Sequence, residues 1–220
     1  MTELIEEKVK ELCALITALD GEDNKIDTLN LVRRHLHKIS PLNHHPVDLV
    51  EWEKVENVRP NDYNPNHVAP PESKLLYLSI LEDGYTMSIV GAREIEDDTR
   101  VIVDGFHRHQ VVRDFKKISN STFGRVPITN VREGKEGRAD RIAATIRHNR
   151  ARGVHAIDDM IEVVRILKVE CGASNDWIVK HIGMDPDEVL RLSQLSGIAA
   201  LFANKDFSKE RDFDEATDQD

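Results

Sequence analysis

The sequence predicts an α+β protein: a mixed α/β domain followed by an all-helical region, with a helix pair in front. Three observations carry this. β-branched runs alternate with helical periods between residues 85 and 150, strand-like runs stop after Gly153, and apolar residues recur at threes and fours both before residue 40 and after residue 155. At 220 residues and 40% hydrophobic, the chain can fill the cores of one or two domains.

Leu4, Ile5, Val9, Leu12, Leu15, Ile16 and Leu19 form a first helical stripe, and Ile26, Leu29, Val32, Leu36 and Ile39 a second after GEDN, so residues 1–40 read as a helical hairpin. Proline and asparagine then interrupt the chain, leaving Val47 to Trp52 as a short strand. Pro70 and Pro71 open a helix through Leu81, because proline is tolerated in a first turn. Strands follow at Tyr85 to Ala92 and Arg100 to Val103, a helix from Phe106 to Lys117, a strand from Val126 to Val131, and a helix from Arg138 to Arg150. Together, residues 47–152 make the α/β domain, residues 153–203 the helical one, and the acidic 204–220 segment is expected to be disordered.

Two cysteines, Cys13 and Cys171, without ligand spacing support neither a disulfide framework nor a thiolate zinc site. With a charged N-terminus and no apolar run of membrane-spanning length, the expectation is a cytoplasmic protein. The net charge is −10, yet residues 100–152 hold 13 Lys and Arg against 5 Asp and Glu. Such a block either focuses anions over a Debye length of about 8 Å or is a solvated face laced with ion pairs.

Within that block lies VIVDGFHRHQVV, residues 101–112. A strand that ends in Asp104 and Gly105 and turns straight into a helix leaves unpaired NH groups at a positive dipole end, which binds anions. Gly105 allows close approach, Arg108 offers a fork for phosphate oxygens, and His107 and His109 add groups that titrate near neutrality. Asp104 could cap the helix, hold His107 in one tautomer, or contact a metal. A His107–His109 metal pair is disfavoured, since i,i+2 side chains on a helix do not share a face.

LSILEDGYTMSIV followed by VIVDGFHRHQVV resembles the N-terminal domain of the ParB and sulfiredoxin superfamily, as does VRPNDYNPN upstream. With RIAATIRHNRARG and GMDPDEVLRLSQLSG added, the chain is most similar to the IbrB-type co-activators of prophage gene expression. That resemblance implies a ParB-like nucleotide-binding fold for the α/β domain and a helix-turn-helix after it. It also implies a nucleoside triphosphate, ATP or CTP, held by Gly105, Phe106, His107, Arg108 and His109 and by a second segment of Arg147, His148, Asn149 and Arg150. Magnesium is a candidate companion, although Arg147 to Arg150 contains no match to the Glu-Asn pair with which ParB clamps hold the metal. Phe106 stands where sulfiredoxins carry their cysteine, which argues against sulfinic acid repair. The DGxHR form is closer to free-serine kinases, and in an enzyme Asp104 and His107 would take part in phosphoryl transfer.

SNDWIVKHIGMDPDEVLRLSQL places Ile178, Val179 and Ile182 on one helix, Gly183 in a turn, and Val189 and Leu192 on the next, spacing that suits a helix-turn-helix or an ordinary packed hairpin. Its candidate DNA-binding cations are Lys180 and Arg191, beside Asp187 and Glu188, so tight binding by this motif alone is not expected. The leading expectation is a nucleotide-binding regulator of transcription or another DNA transaction, the second an NTPase or small-molecule kinase. Candidate partners are a nucleotide, DNA, the PAPS-reductase-like protein implied by the family, and a second copy of the chain. The front helix pair is either a docking element or a packing appendage.

Overall fold

A computed structural model of the chain describes residues 1–63, 70–94, 99–150 and 157–202, without the side chains of 70–72, 149–150, 157–159 and 198–202. The expected disorder of the 204–220 tail therefore falls outside the described residues. Two compact units result, Met1–His155 and Ala156–Asp220.

The first unit opens with α1 (Thr2–Thr17) and α2 (Glu22–Ile39), joined through Gly21 at φ 81°. A five-stranded sheet follows, in the order β1-β5-β3-β4-β2. Its strands are β1 (Glu51–Lys54), β2 (Val58–Arg59), β3 (Ile89–Arg93), β4 (Arg100–Asp104) and β5 (Arg125–Asn130). β1 pairs antiparallel with β5 and β3 with β4, while β3–β5 and β2–β4 are parallel. Helices α3 (Pro70–Asp83), α4 (Phe106–Asp114), α5 (Lys116–Ser121) and α6 (Arg138–Arg150) complete the unit.

β4 is buried from Arg100 to Val103, as a strand covered on both faces must be, which explains its unbroken β-branched run. Ile102 joins Ile80, Ile89, Val111, Val112 and Ile128 in a core shared with α3 and α4. The alternate residues Val101 and Val103 lie on the other face, where α6 buries Ile142, Ala143 and Ile146. The Thr145 hydroxyl of α6 donates to the Val103 carbonyl at 2.8 Å.

Three expectations need correction. Pro46–Asp48 form a 3-10 turn, so β1 starts at Glu51 rather than Val47. β3 starts at Ile89 rather than Tyr85, and β2, of only two residues, leaves no periodic signal. The helix expected to run through Lys117 breaks at Phe115, whose extended backbone (φ −117°, ψ 102°) carries its ring onto Tyr77 of α3, with centroids 4.3 Å apart.

The basic block is largely neutralised inside this unit. Arg100 is buried against Glu51 and Glu53. Arg138 pairs with Asp62 at 3.0 Å, Arg141 with Glu94 at 2.9 Å, and Lys135 with Asp140 at 2.9 Å. Arg125, its side chain 2% exposed, donates to Asp23 at 2.7 Å and Asp27 at 2.6 Å, both on α2. The ion-pair alternative accounts for these cations.

Those aspartates belong to a polar seam along α2 at positions 23, 27, 30, 34 and 37, a 4-3-4-3 spacing that keeps one helix face on the sheet edge. Asn30 donates to the Trp52 carbonyl at 2.9 Å and accepts from the Trp52 amide at 3.0 Å, standing in for a neighbouring strand along the exposed edge of β1. Arg34 reaches Glu51 at 2.5 Å, and His37 lies 2.6 Å from Asp48.

The second unit comprises α7 (Ile157–Arg165), a π-turn over Ile166–Glu170, α8 (Asn175–Ile182) and α9 (Pro186–Phe202). Ser174 caps α8 by accepting from the Trp177 amide at 3.1 Å, and Gly183 ends it in the left-handed conformation. The Asp185 carboxylate then accepts from the Asp187 amide at 2.9 Å, with Pro186 opening α9. Val164, Leu167, Ile178, Ile182, Val189 and Leu192 fill the core, so the apolar spacing read as a helix-turn-helix packs as one.

Candidate functional site

The DGFHRH turn joins the end of β4 to the start of α4. Gly105 occupies the N-cap position at φ 95°, ψ 22°, so the N-cap residue itself brings no capping side chain. The helix start is glycine-led, as the sequence predicts. What the glycine makes room for differs from expectation. A Cβ at Gly105 would meet Nη2 of Arg108 at 2.8 Å, Nε at 3.1 Å and the Ile89 Cα at 3.2 Å.

Arg108 thus folds back beneath the turn. Nη2 donates to the Ser88 carbonyl at 3.2 Å and lies 3.5 Å from the Asp104 carboxylate, with the two side chains only 14% and 8% exposed. Here the guanidinium turns inward, toward the Asp104 carboxylate and the Ser88 carbonyl. The Tyr85 hydroxyl donates to the Arg108 carbonyl at 2.6 Å and fixes the turn from the other side. Burial raises the pKa of that phenol, with the Arg108 charge opposing.

Phe106 and His107 are half-buried, their rings edge-on with centroids 5.3 Å apart. His109, predicted beside them as a phosphate ligand, is 1% exposed and placed with its Nε2 3.3 Å from the Val55 carbonyl. It packs in the core because its position on α4 falls next to the buried Val111 and Val112. Desolvation lowers its pKa, with the backbone carbonyls of Val55 and Val58 opposing.

α6 brings the second predicted segment to the same end of the sheet. Near its start Arg141 pairs with Glu94, just before β4, and one turn later Thr145 meets Val103, near the end of β4. The helix therefore runs alongside β4, and its last turn approaches the level of the Asp104 turn. Arg147 and His148 are exposed there, and the side chains of Asn149 and Arg150 fall outside the described residues.

A third segment, Asn61 to Tyr63, lies within the VRPNDYNPN string that carries part of the resemblance, but it was assigned no site role from sequence. Asn61 donates to the Ile102 carbonyl at 2.7 Å, and its buried Oδ1 has no hydrogen-bond partner. Tyr63 is 5% exposed beneath the Arg138 guanidinium, 5.8 Å from the ring centroid. Burial pushes its hydroxyl up to about 12, against the Thr145 hydroxyl and the nearby arginines. Only the Asn-Pro string that follows could have drawn attention here, and residues 64–69 fall outside the described residues.

A cleft of about 670 Å³ lies toward the Arg100 end of the sheet instead, lined by His37, Lys38, His44, Asn130 and Arg132 among others. Among the described residues no three His, Cys, Asp or Glu side chains gather to hold a metal. No described helix is long and apolar enough to cross a membrane. On the second unit, Lys180 and Arg191 are exposed on α8 and α9.

Residues 155–204 match the family model of the IbrB-like C-terminal HTH domain, so the C-terminal unit is a helix-turn-helix of IbrB type. Across the whole molecule, the chain is 47% identical over 188 residues to the uncharacterized protein YbdM of Escherichia coli (strain K12), covering 86% of this chain and 88% of that one. The chain belongs to the YbdM family. Among solved structures, it is similar to the C-terminally truncated chromosome-partitioning protein ParB from Caulobacter crescentus. The form complexed with CTP-γ-S aligns at 15% identity and TM-score 0.39, covering 70% of this chain and 86% of that one. The form complexed with the centromeric parS site aligns at 15% identity and TM-score 0.43, covering 66% and 71%. A Pnob8-like ParB-N domain aligns at 12% identity and TM-score 0.43, covering 71% and 73%.

Proposed function

We propose that the protein is a nucleotide-binding regulator of transcription or another DNA transaction, with phosphates held at the start of α4 and DNA engaged by the helix-turn-helix unit. The observation that carries the reading is the glycine-led start of α4, with Gly105 in the left-handed conformation, at the same end of β4 as the last turn of α6. First-turn amides, His107, Arg147 and His148 supply the phosphate contacts. Arg108 is the strut that shapes the turn, and it becomes a phosphate ligand only by leaving Asp104.

Calorimetry on the purified chain with ATP, CTP, ADP and PAPS tests this. One nucleotide should bind, and Arg147→Ala and His107→Ala should each weaken it about tenfold, the value of one charge-assisted hydrogen bond. Absence of binding across the panel sinks the reading. Turnover that Asp104→Asn abolishes while binding persists would assign the chain to the phosphotransferase alternative.

With Lys180 and Arg191 as the phosphate contacts of one unit, log affinity for DNA should fall with log salt at a slope of only about −2. Tight regulation then needs a second unit or a partner protein. The PAPS-reductase-like partner belongs to this reading and is tested by co-purification of the two full-length chains.

A further inference from the structure

We infer that α1 and α2 are a dimerisation element, two copies of the hairpin closing face to face into a four-helix bundle. The inference stands apart from the nucleotide reading.

On α1, Ile5, Val9, Leu12, Ile16 and Leu19 fall at 4-3-4-3 spacing. On α2, Leu29, Val32, Leu36 and Ile39 continue at 3-4-3. These are the seams of supercoiled antiparallel helices. Within one chain they do not close. α1 buries none of its 16 residues. Exposure climbs away from the tip, from half-buried Leu19 and Ile16 through Leu12 at 37% and Val9 at 51% to Ile5 at 58%. On the facing helix Ile26 and Val32 are half-buried, while Leu29 is 38% exposed and the far end opens to Leu36 at 59% and Ile39 at 80%. The hairpin gapes, and both walls of the gap are apolar.

A lone helix of this length is marginal in water, so an exposed apolar stripe along it calls for a partner surface. The sheet-facing side of α2 is already taken by the polar seam to Arg125, Trp52, Glu51 and Asp48. What is left uncovered is the heptad face, flanked by exposed Leu4 and Leu15. That extra width suits a helix with two neighbours rather than one.

A second copy is the occupant these features favour. Side chains this numerous and this exposed amount to several hundred Å², approaching the roughly 800 Å² that each partner of a standard interface contributes. Residues 1–40 hold six Lys and Arg against eight Asp and Glu, too little net charge to oppose self-association. In a bundle with its two-fold along the helices, the start of each α1 lies beside the end of the partner's α2. Glu3 and Glu7 on one and Lys38 on the other make no ion pair among the described residues. The arrangement sets them against each other.

Sedimentation of the full chain across the micromolar range should give twice the mass of one chain. Val9→Glu with Leu12→Glu should raise the dissociation constant about 30-fold or more, as charges in the centre of a helix seam do, leaving the melting of the α/β core unchanged. Leu36→Glu repeats the test on α2, which the polar seam holds to the sheet whatever happens to α1. A wild-type monomer throughout that range overturns the proposal, whether the stripe is covered by the chain's own second unit or by another protein. So does a dimer that survives both sets of substitutions.

Discussion

Arg125 and Arg108 come from the same basic block, yet the regions they organise are held together differently. At the α2 seam, Arg125 is buried and spends all three nitrogens, on two aspartates and the Trp52 carbonyl. At the α4 turn, Arg108 meets, among the described residues, one carboxylate at 3.5 Å and one carbonyl at 3.2 Å beneath a glycine that leaves it space. The difference separates a permanent joint from one that an arriving anion could reopen, because the number and length of charge-assisted bonds set how firmly a guanidinium is held.

Removing the joint should have the largest effect. Arg125→Ala leaves a cavity under α2, strips two carboxylates of their donor and leaves the Trp52 carbonyl with Asn30 alone, costing about 3 kcal/mol in urea unfolding. Asp23 and Asp27 stay more than half exposed and can rehydrate, which keeps the loss below the top of the range for broken buried pairs. If the variant unfolds like wild type, the seam is not a joint.

This contrast also marks how far the sequence could be read. α1 and α2 follow from periodicity, α3 from the prolines that open it and β4 from its β-branched run, and the packing of Ile178, Ile182, Val189 and Leu192 follows from the apolar and glycine offsets. The glycine-led helix start was legible because a left-handed residue after a strand has few alternatives to Gly. The direction of Arg108 and the burial of His109 were not, since both depend on what lies across the turn. Ser88 and Val55 are 20 and 54 residues away. The fate of Arg125 depends on aspartates about 100 residues upstream, and no local pattern reports such a pairing. The two-residue β2 falls below the length at which alternation can be recognised.

Gly105→Ala sharpens the comparison from the other side. The new Cβ would sit at φ 95° and press on the Ile89 backbone, which cannot give way, as well as on Arg108. A loss of about 2 kcal/mol follows from left-handed strain plus displacement of the strut. Arg108→Ala, by contrast, should cost less, about 1 kcal/mol from the contacts made among the described residues, one long ion pair and one neutral-acceptor bond. Equilibrium unfolding of the three variants side by side gives the order Arg125, Gly105, Arg108. An Arg108 variant as unstable as the Arg125 variant would erase the distinction.

Acid should take the two regions apart at different pH, with the smallest effect appearing first at α4. Burial depresses the pKa of His109 below its ordinary 6.5, so the folded protein keeps it neutral while the unfolded chain protonates it. The stability from this group is therefore complete above pH 6.5 and declines as pH falls from there toward the depressed folded value. At the seam the signs lie elsewhere on the scale. Hydrogen bonds from His37 and Ser40 hold the Asp48 carboxyl below 3.8, and Arg125 does the same for Asp23. Their contribution is complete above pH 3.8 and is lost only as pH falls through those lowered values. Amide hydrogen exchange between pH 7 and pH 5 should then show protection weakening along α4 while the first half of α2 keeps its own. His109→Gln, which cannot titrate, should flatten the α4 response, and an unchanged pH dependence in that variant would place the titrating group elsewhere.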